Sequence, residues 1–109
     1  MGMSLLKRIR ALLEPAFGSR LHGVVLYGSM SRDEAREDSD VDVLVLLDDP
    51  IRLGEDLRTI IHATYPLQLE IDRSIHAIPL SRRSYDAGAF ALYRNAKREG
   101  TTLPAIDDE

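Results

Sequence analysis

The most informative residues of this 109-residue chain are Leu26-Tyr27-Gly28-Ser29-Met30-Ser31-Arg32-Asp33-Glu34-Ala35-Arg36-Glu37-Asp38-Ser39-Asp40-Val41-Asp42-Val43. A Gly-Ser pair follows the apolar run 21–27, and after ten further residues an Asp-x-Asp motif opens a second apolar run, 41–47. Both runs are predicted strands. Because alternate residues of a strand point to the same side, Asp40 and Asp42 are predicted to share one face while the valines between and after them enter the core.

This pattern predicts chemistry on phosphates. Two carboxylates held side by side repel one another unless a cation lies between them, and Mg²⁺ prefers oxygen ligands from carboxylates and phosphates. Gly28 allows close approach of the backbone, and Ser29 offers a hydroxyl and a helix N-terminus to a phosphate. Either half alone is a weak motif. Together they predict metal-assisted phosphoryl or nucleotidyl transfer.

The composition excludes several other classes of protein. The chain has no cysteine, which excludes disulfide scaffolds, thiolate zinc sites and Cys nucleophiles. Its net charge of −4 argues against direct nucleic-acid binding. No apolar run reaches the ~20 residues that span a bilayer, so we expect a cytoplasmic protein without a membrane partner. The length predicts one domain, residues 1–103, followed by an acidic tail over 104–109.

Helical and extended patterns alternate along the rest of the chain. The predicted elements are a helix from an N-cap at Ser4 to an end at Pro15–Gly18, strands at 21–27 and 41–47, helical turns at 30–36, a helix at 53–65 ended by Pro66, a strand within 67–78, a helix at 82–99 ended by Gly100, and an extension from 101. Such alternation, with crossovers long enough to wrap a small sheet, predicts an α/β or α+β fold with helices packed on a sheet.

The alternation within 67–78 also supplies candidate polar residues. Odd positions are largely apolar and even positions polar, which is typical of a strand with one face toward the core. Glu70, Asp72 and His76 all lie on the predicted polar face.

The quoted stretch resembles the signature of the minimal nucleotidyltransferases (MNT) of the DNA polymerase beta superfamily. That signature is Gly-Ser, ten residues and Asp-x-Asp, usually with Ala-Arg-Gly-x-Ala after the Ser. This sequence keeps Arg32 and Ala35, but it has Ser31 for the Ala and Asp33 for the Gly. Residues 79–81 and 94–100 resemble the ending of these small proteins, so the resemblance covers nearly the whole chain.

The resemblance implies the nucleotidyltransferase fold, a small mixed sheet of three to four strands with helices on one side. It also implies Mg²⁺-dependent transfer of a nucleoside monophosphate to a hydroxyl acceptor. The donor would be ATP or another nucleoside triphosphate, and AMP from ATP is the expected group. By the same resemblance, Gly28, Ser29 and Arg32 would bind the nucleotide, while Asp40 and Asp42 would hold metal ions and take part in catalysis. A third acid on a neighbouring strand would complete the metal site and help to deprotonate the hydroxyl.

The third acid has three candidates in the sequence. Asp72 is the first choice as catalytic and metal-binding residue, and Glu70 is the second. A different register, anchored on Pro79-Leu80-Ser81, would place His76 there instead. Because imidazole binds Mg²⁺ poorly, that register would imply a nucleotide-binding protein with impaired catalysis. The alternative that all three only face water stays open.

A chain of this length leaves no room for an acceptor-binding domain, so we expect a partner to supply that surface. The resemblance implies a HEPN-type ribonuclease, paired with this protein as the antitoxin of a toxin–antitoxin system. A homo-oligomer is the other candidate. The alternative functions are a non-catalytic antitoxin that acts by complex formation, and a nucleotide-binding remnant with neither role.

Overall fold

The computed structural model describes residues 2–27 and 40–104. Their helices are α1 (Gly2–Phe17), α2 (Leu53–Ile71), α3 (Arg82–Asp86) and α4 (Ala91–Glu99), with a 3₁₀ turn at Gly18–Arg20. Their strands are β1 (Leu21–Tyr27), β2 (Val41–Leu47), β3 (Ile75–Ser81) and β4 (Thr101–Pro104). The bounds predicted for the first two strands are confirmed. In this part of the chain, no helix has the length and apolar character needed to cross a membrane.

The four strands form one mixed sheet in the order β3-β2-β1-β4. β1 is antiparallel to β2 and to β4, whereas β2 runs parallel to β3. The parallel pair needs a long crossover, which α2 provides. This architecture confirms the predicted fold class, an α+β fold with helices packed on a small mixed sheet.

Helices cover both faces of the sheet, so the prediction of helices on one side only is wrong. On one face, α1 and α2 pack on the side chains of Val24, Val43 and Val45, none of which is exposed to solvent. On the other face, Tyr85 of α3 and Ala96 of α4 pack on a second apolar group. The strand residues of that group are Val25, Leu44 and Leu46. β2 therefore has to be apolar at both odd and even positions, as a strand covered on both faces requires.

The first long helix ends at Phe17, just before Gly18 and within the predicted range, but neither proline ends a helix as predicted. Pro15 lies inside α1 and Pro66 inside α2, and Ser4 lies inside α1 rather than at its N-cap. An interior proline costs about 3 kcal/mol through a lost hydrogen bond and a steric clash. Burial of Leu67, which is 2% exposed, and the packing of Ile71 favour continuing α2 past Pro66. Tertiary packing outweighs the local propensity.

The segments after Pro66 differ most from the prediction. Residues 67–71 continue α2, and the strand begins only at Ile75. The predicted helix over 82–99 is two helices, separated by a turn in which Gly88 has φ +64°. Gly100 follows α4 as predicted, but the extension forms β4 through Pro104. The predicted turns at 30–36 and the tail beyond 104 lie outside the described residues.

A buried ion pair ties the 3₁₀ turn to the start of α2. Both guanidinium nitrogens of Arg20 donate to the carboxylate of Asp56, each at 3.0 Å, and the backbone N–H of Arg52 donates to the same group. Asp56 is only 4% exposed. The hydrogen bonds from Arg20 lower the pKa of Asp56 below its ordinary value, against the opposing effect of burial. The ionised carboxylate therefore stabilises the fold.

We expect Asp56→Asn to lower the free energy of unfolding by roughly 2 to 4 kcal/mol at pH 7, because Arg20 loses the carboxylate that balances its charge. Arg20 is partly exposed and keeps some hydration, so the loss is smaller than for a fully buried pair. Since the folded pKa is lowered, this stabilisation is present above the ordinary pKa of 3.8 and is lost as the pH falls through the folded pKa. Urea unfolding at pH 7 and pH 3 measures both values. Asp86→Asn, in an exposed pair with Arg82, is the control. An equal effect of Asp56→Asn at both pH values would contradict the role of the charge.

Candidate functional site

Three polar side chains form a row across neighbouring strands at one end of the sheet. Asp42 of β2 lies opposite Tyr27 of β1 in the antiparallel ladder and opposite His76 of β3 in the parallel one. Asp40 precedes β2 by one residue and joins this row. The row lies on the face that α3 and α4 cover further along the strands, where Leu44 and Leu46 continue the even positions of β2.

The two carboxylates meet at His76. The Nδ1 atom of His76 lies 3.9 Å from Oδ2 of Asp40 and 4.0 Å from Oδ1 of Asp42. Asp40 and Asp42 thus share one face, as the strand parity predicts. The side chains of Asp40 and His76 are 54% and 59% exposed, whereas that of Asp42 is 32% exposed. The group is open to a ligand from solvent.

The folded chain disfavours ionisation of the Asp42 carboxyl, mainly because the group is partly buried. Burial raises the pKa of this carboxyl above its ordinary value, and the charge of Asp40 raises it further. His76 acts in the opposite direction without reversing the shift. The pKa of Tyr27 is raised as well, first by burial and then by the charge of Asp42. Added positive charge at this point would relieve the repulsion between the carboxylates.

The structure does not bring the predicted third acids into this row. Glu70 lies on α2, where it pairs with Arg8 of α1. Asp72 caps the C-terminus of α2 with a left-handed backbone (φ 55°). Their placement on a polar strand face is therefore wrong. Across residues 2–27 and 40–104, no group of three or more His, Asp or Glu side chains is arranged to hold a metal ion. Asp40, Asp42 and Asp72 are accordingly not gathered into one site.

His76 lies beside the Asp pair on the neighbouring strand, as the alternative register predicted. That register was anchored on Pro79-Leu80-Ser81, and these residues do form the end of β3. Tyr27 was missed by the sequence reasoning, because its position beside Asp42 depends on the pairing of two strands. Gly28, Ser29 and Arg32, predicted to bind the nucleotide, lie outside the described residues.

Fold and site together define a class. The mixed four-stranded sheet presents an Asp-x-Asp pair at the start of a central strand. The chain matches the nucleotidyltransferase domain family over residues 6–84, most of its length. It belongs to that family. No curated protein matches the chain at a significant level.

Solved structures of toxin–antitoxin complexes contain chains that share this fold. One is a toxin–antitoxin with AMP-PNP (TM-score 0.65, 18% identity, 94% of this chain and 75% of that chain). Another is the MntA–HpeT toxin–antitoxin with two Asp-to-Glu substitutions (TM-score 0.62, 17% identity, 94% of this chain and 75% of that chain). A third is a tri-AMPylated HEPN toxin of Shewanella oneidensis with its MNT antitoxin (TM-score 0.59, 18% identity, 99% of this chain and 76% of that chain). At such identities the likeness shows the fold alone.

We expect Asp42→Asn to raise the free energy of unfolding at pH 7 by about 0.5 to 1 kcal/mol. A raised pKa means that the folded state disfavours the ionised carboxylate. The free energy of unfolding therefore falls as the pH rises from the ordinary value of 3.8 through the raised pKa of the folded state. The amide removes this penalty. Thermal unfolding without divalent ions measures the change. Asp40→Asn, at a more exposed carboxylate, should give a smaller increase. A destabilised Asp42→Asn would contradict the account.

Proposed function

We propose that this nucleotidyltransferase-family protein is an antitoxin that binds a magnesium nucleoside triphosphate through Asp40 and Asp42 and neutralises a HEPN-type partner by forming a complex. AMP transfer is weak or absent in this proposal. The observation that carries it is the position of His76, which lies beside Asp42 on the neighbouring strand, where the family resemblance calls for a third acid. A cytoplasmic location, where ATP is abundant, is part of the proposal.

The Asp pair suits one hard divalent cation. Both residues offer carboxylate oxygens to the same open face. The pKa of Asp42 is raised mainly by burial and to a smaller extent by the charge of Asp40, and a bound cation would offset both effects. Bound there, Mg²⁺ would neutralise charge on the triphosphate of the nucleotide. Gly28 and Ser29 would hold the phosphates through backbone N–H groups and a hydroxyl, with Arg32 close to them.

His76 is a poor substitute for a third carboxylate. Imidazole is a weak ligand for Mg²⁺, and it brings no negative charge to hold a second ion. Its distances of 3.9 Å and 4.0 Å to the two carboxylates make it a neighbour of the pair that offsets part of their charge. Nucleotide binding at the Asp pair needs one cation only. Activation of an attacking hydroxyl would lack the group that the family uses for it.

The structural relatives support a HEPN-type partner for this chain. Three of them are toxin–antitoxin complexes, and one of these is a HEPN toxin in complex with an MNT antitoxin. We therefore propose a HEPN-type protein as the partner of this chain. It would approach the open side of the Asp pair, since the far face of that strand is buried against α1 and α2.

Transfer of AMP to a hydroxyl of the partner is a second candidate function, and the retained Asp40–Asp42 pair favours it. In such a reaction, a tyrosine oxygen on the partner bonds to the α-phosphorus of ATP and pyrophosphate leaves. One structural relative is a complex with an AMPylated HEPN toxin. Another carries Asp-to-Glu substitutions at two positions that are two residues apart, the same spacing as Asp40 and Asp42.

We expect the double substitution Asp40→Asn and Asp42→Asn to abolish Mg²⁺-dependent ATP binding while the fold stays intact, because amides hold the cation far less well than carboxylates. Isothermal titration calorimetry with MgATP measures the affinity, and circular dichroism checks the fold. Asp86→Asn removes an exposed carboxylate elsewhere and should bind like the native protein. Unchanged affinity in the double variant would refute the assignment of the pair.

We expect His76→Asp to raise AMP transfer to a co-expressed HEPN partner by about tenfold or more, because it restores a carboxylate beside Asp42. Intact-mass spectrometry of the partner counts the added nucleoside monophosphates. His62→Asp, at an exposed position on α2, is the control.

The same experiment separates the two candidate functions. A stable complex whose partner gains no mass with the native protein, but gains it with His76→Asp, supports the binding-only antitoxin. Rapid transfer by the native protein that His76→Asp leaves unchanged would favour the enzyme. If neither a complex nor added mass is found with the product of a neighbouring HEPN gene, the partner proposal is wrong.

A further inference from the structure

Helix α2 is apolar on two opposite sides. Its inner side buries Ile60 and Leu67, which are 1% and 2% exposed. Its outer side carries Ile61, Tyr65 and Leu69, which are 55%, 53% and 63% exposed. Residues four apart lie on the same side of a helix, so these three form one continuous row, named here the outer row.

The outer row is the longest such feature among the described residues. Of the other large apolar side chains that are strongly exposed there, Met3 lies on α1 and Phe90 precedes α4, whereas Leu53 begins α2, eight residues before Ile61. A single exposed apolar residue is ordinary, whereas a contiguous row on a helix marks a surface that another protein covers. α2 packs on α1 and β3 with its inner side only, so nothing in the described chain covers the outer row.

Two opposite charges flank the outer row. Arg58 lies seven residues before Tyr65, and Asp72 lies seven residues after it. Seven residues make almost two full turns, so Arg58 stands on the same side of the helix as Tyr65. Asp72 is the C-cap that follows α2, and it lines the same surface pocket as Leu69 of the outer row. Both charged residues are exposed. Neither takes part in an ion pair within the described residues.

We propose that two copies of this chain associate through the outer row, with their α2 helices antiparallel and Tyr65 on the two-fold axis. Ile61 of each copy then packs against Leu69 of the other. In the same register, Arg58 of each copy faces Asp72 of the other. The interface thus has an apolar centre and an ion pair at each end, and it uses the same patch twice, as two-fold symmetry requires.

The charges select the antiparallel arrangement. In a parallel pair, Arg58 would face Arg58 and Asp72 would face Asp72, and such like-charge contacts oppose association. The two helix dipoles would also run side by side in the same direction. The single row of three apolar residues makes the interface small, so the dimer is weak, with dissociation in the micromolar range or above.

The self-association does not depend on the proposed function. Asp40, Asp42 and His76 lie on the sheet, whereas the outer row faces away from it. Variants of the outer row can therefore fail to dimerise while MgATP binding is retained, and variants of the Asp pair can lose MgATP without changing the dimer.

Sedimentation equilibrium of the full chain over about a hundredfold range of concentration tests the surface. The native protein should pass from monomer to dimer. Tyr65→Glu places two negative charges at the axis and should weaken the dimer by at least tenfold. Phe90→Glu, an equally exposed aromatic residue away from α2, is the matched control and should dimerise like the native protein. Thermal melts confirm that all variants are folded.

A charge exchange tests the antiparallel register. Arg58→Glu alone and Asp72→Lys alone should each remain monomeric, because each dimer would then contain two like-charge contacts. An equimolar mixture of these two variants should dimerise again, because every contact across the mixed interface joins opposite charges. A defect in folding would not be repaired by mixing.

Three results would overturn the proposal. The first is a native protein that stays monomeric at the highest concentration, and the second is a dimer that Tyr65→Glu leaves intact. The third is a mixture of the two charge variants that fails to associate. If the native protein is monomeric and Tyr65→Glu instead loses a HEPN-type partner, the outer row is covered by that partner and self-association is wrong.

Discussion

The parallel pairing of β2 with β3 is the constraint on which the site depends. The ladder begins where the N–H of Val41 donates to the carbonyl of Ser74 at 2.9 Å, and from there Asp42 faces His76. A slip by one residue would exchange the two faces of β3. It would move Ala77, which is 5% exposed, out of the core. The apolar core below the sheet therefore determines which polar group stands beside the Asp pair.

The sequence predicts the fold correctly where the local hydrophobic pattern agrees with the burial of the residues in the structure. β1 and β2 are apolar runs with clear ends, and the shared face of Asp40 and Asp42 follows from strand parity alone. Residues 67–71 were ambiguous for a physical reason. Four residues make an even step in a strand and about one turn in a helix, so Leu67 and Ile71 share a side in both. In a strand, Leu69 would lie on the same face as Leu67 and Ile71. It is 63% exposed instead, as expected for the helix that forms.

The identity of the residue beside Asp42 depended on where α2 ends, which the sequence left open. The general preference of proline for helix ends predicted that α2 ends at Pro66. Packing on α1 and β3 favours a helix that continues for five more residues. The helix ends where Asp72 adopts a left-handed backbone, a conformation that Asp tolerates better than most residues. That end moves Asp72 off the sheet and places His76 on it. A long-range packing energy thus decides the electrostatics of the site.

The short edge strand β4 has a consequence for how the molecule opens. It pairs with β1 only, and Gly23 makes room for it, since a Cβ there would lie 2.8 Å from the carbonyl oxygen of Leu103. β4 has only four residues and one neighbouring strand, so few hydrogen bonds hold it in the sheet. Amide protons of β4 should therefore exchange with solvent well before those of β2. Each such opening uncovers the backbone edge of β1, and this brief state is the one most prone to aggregate.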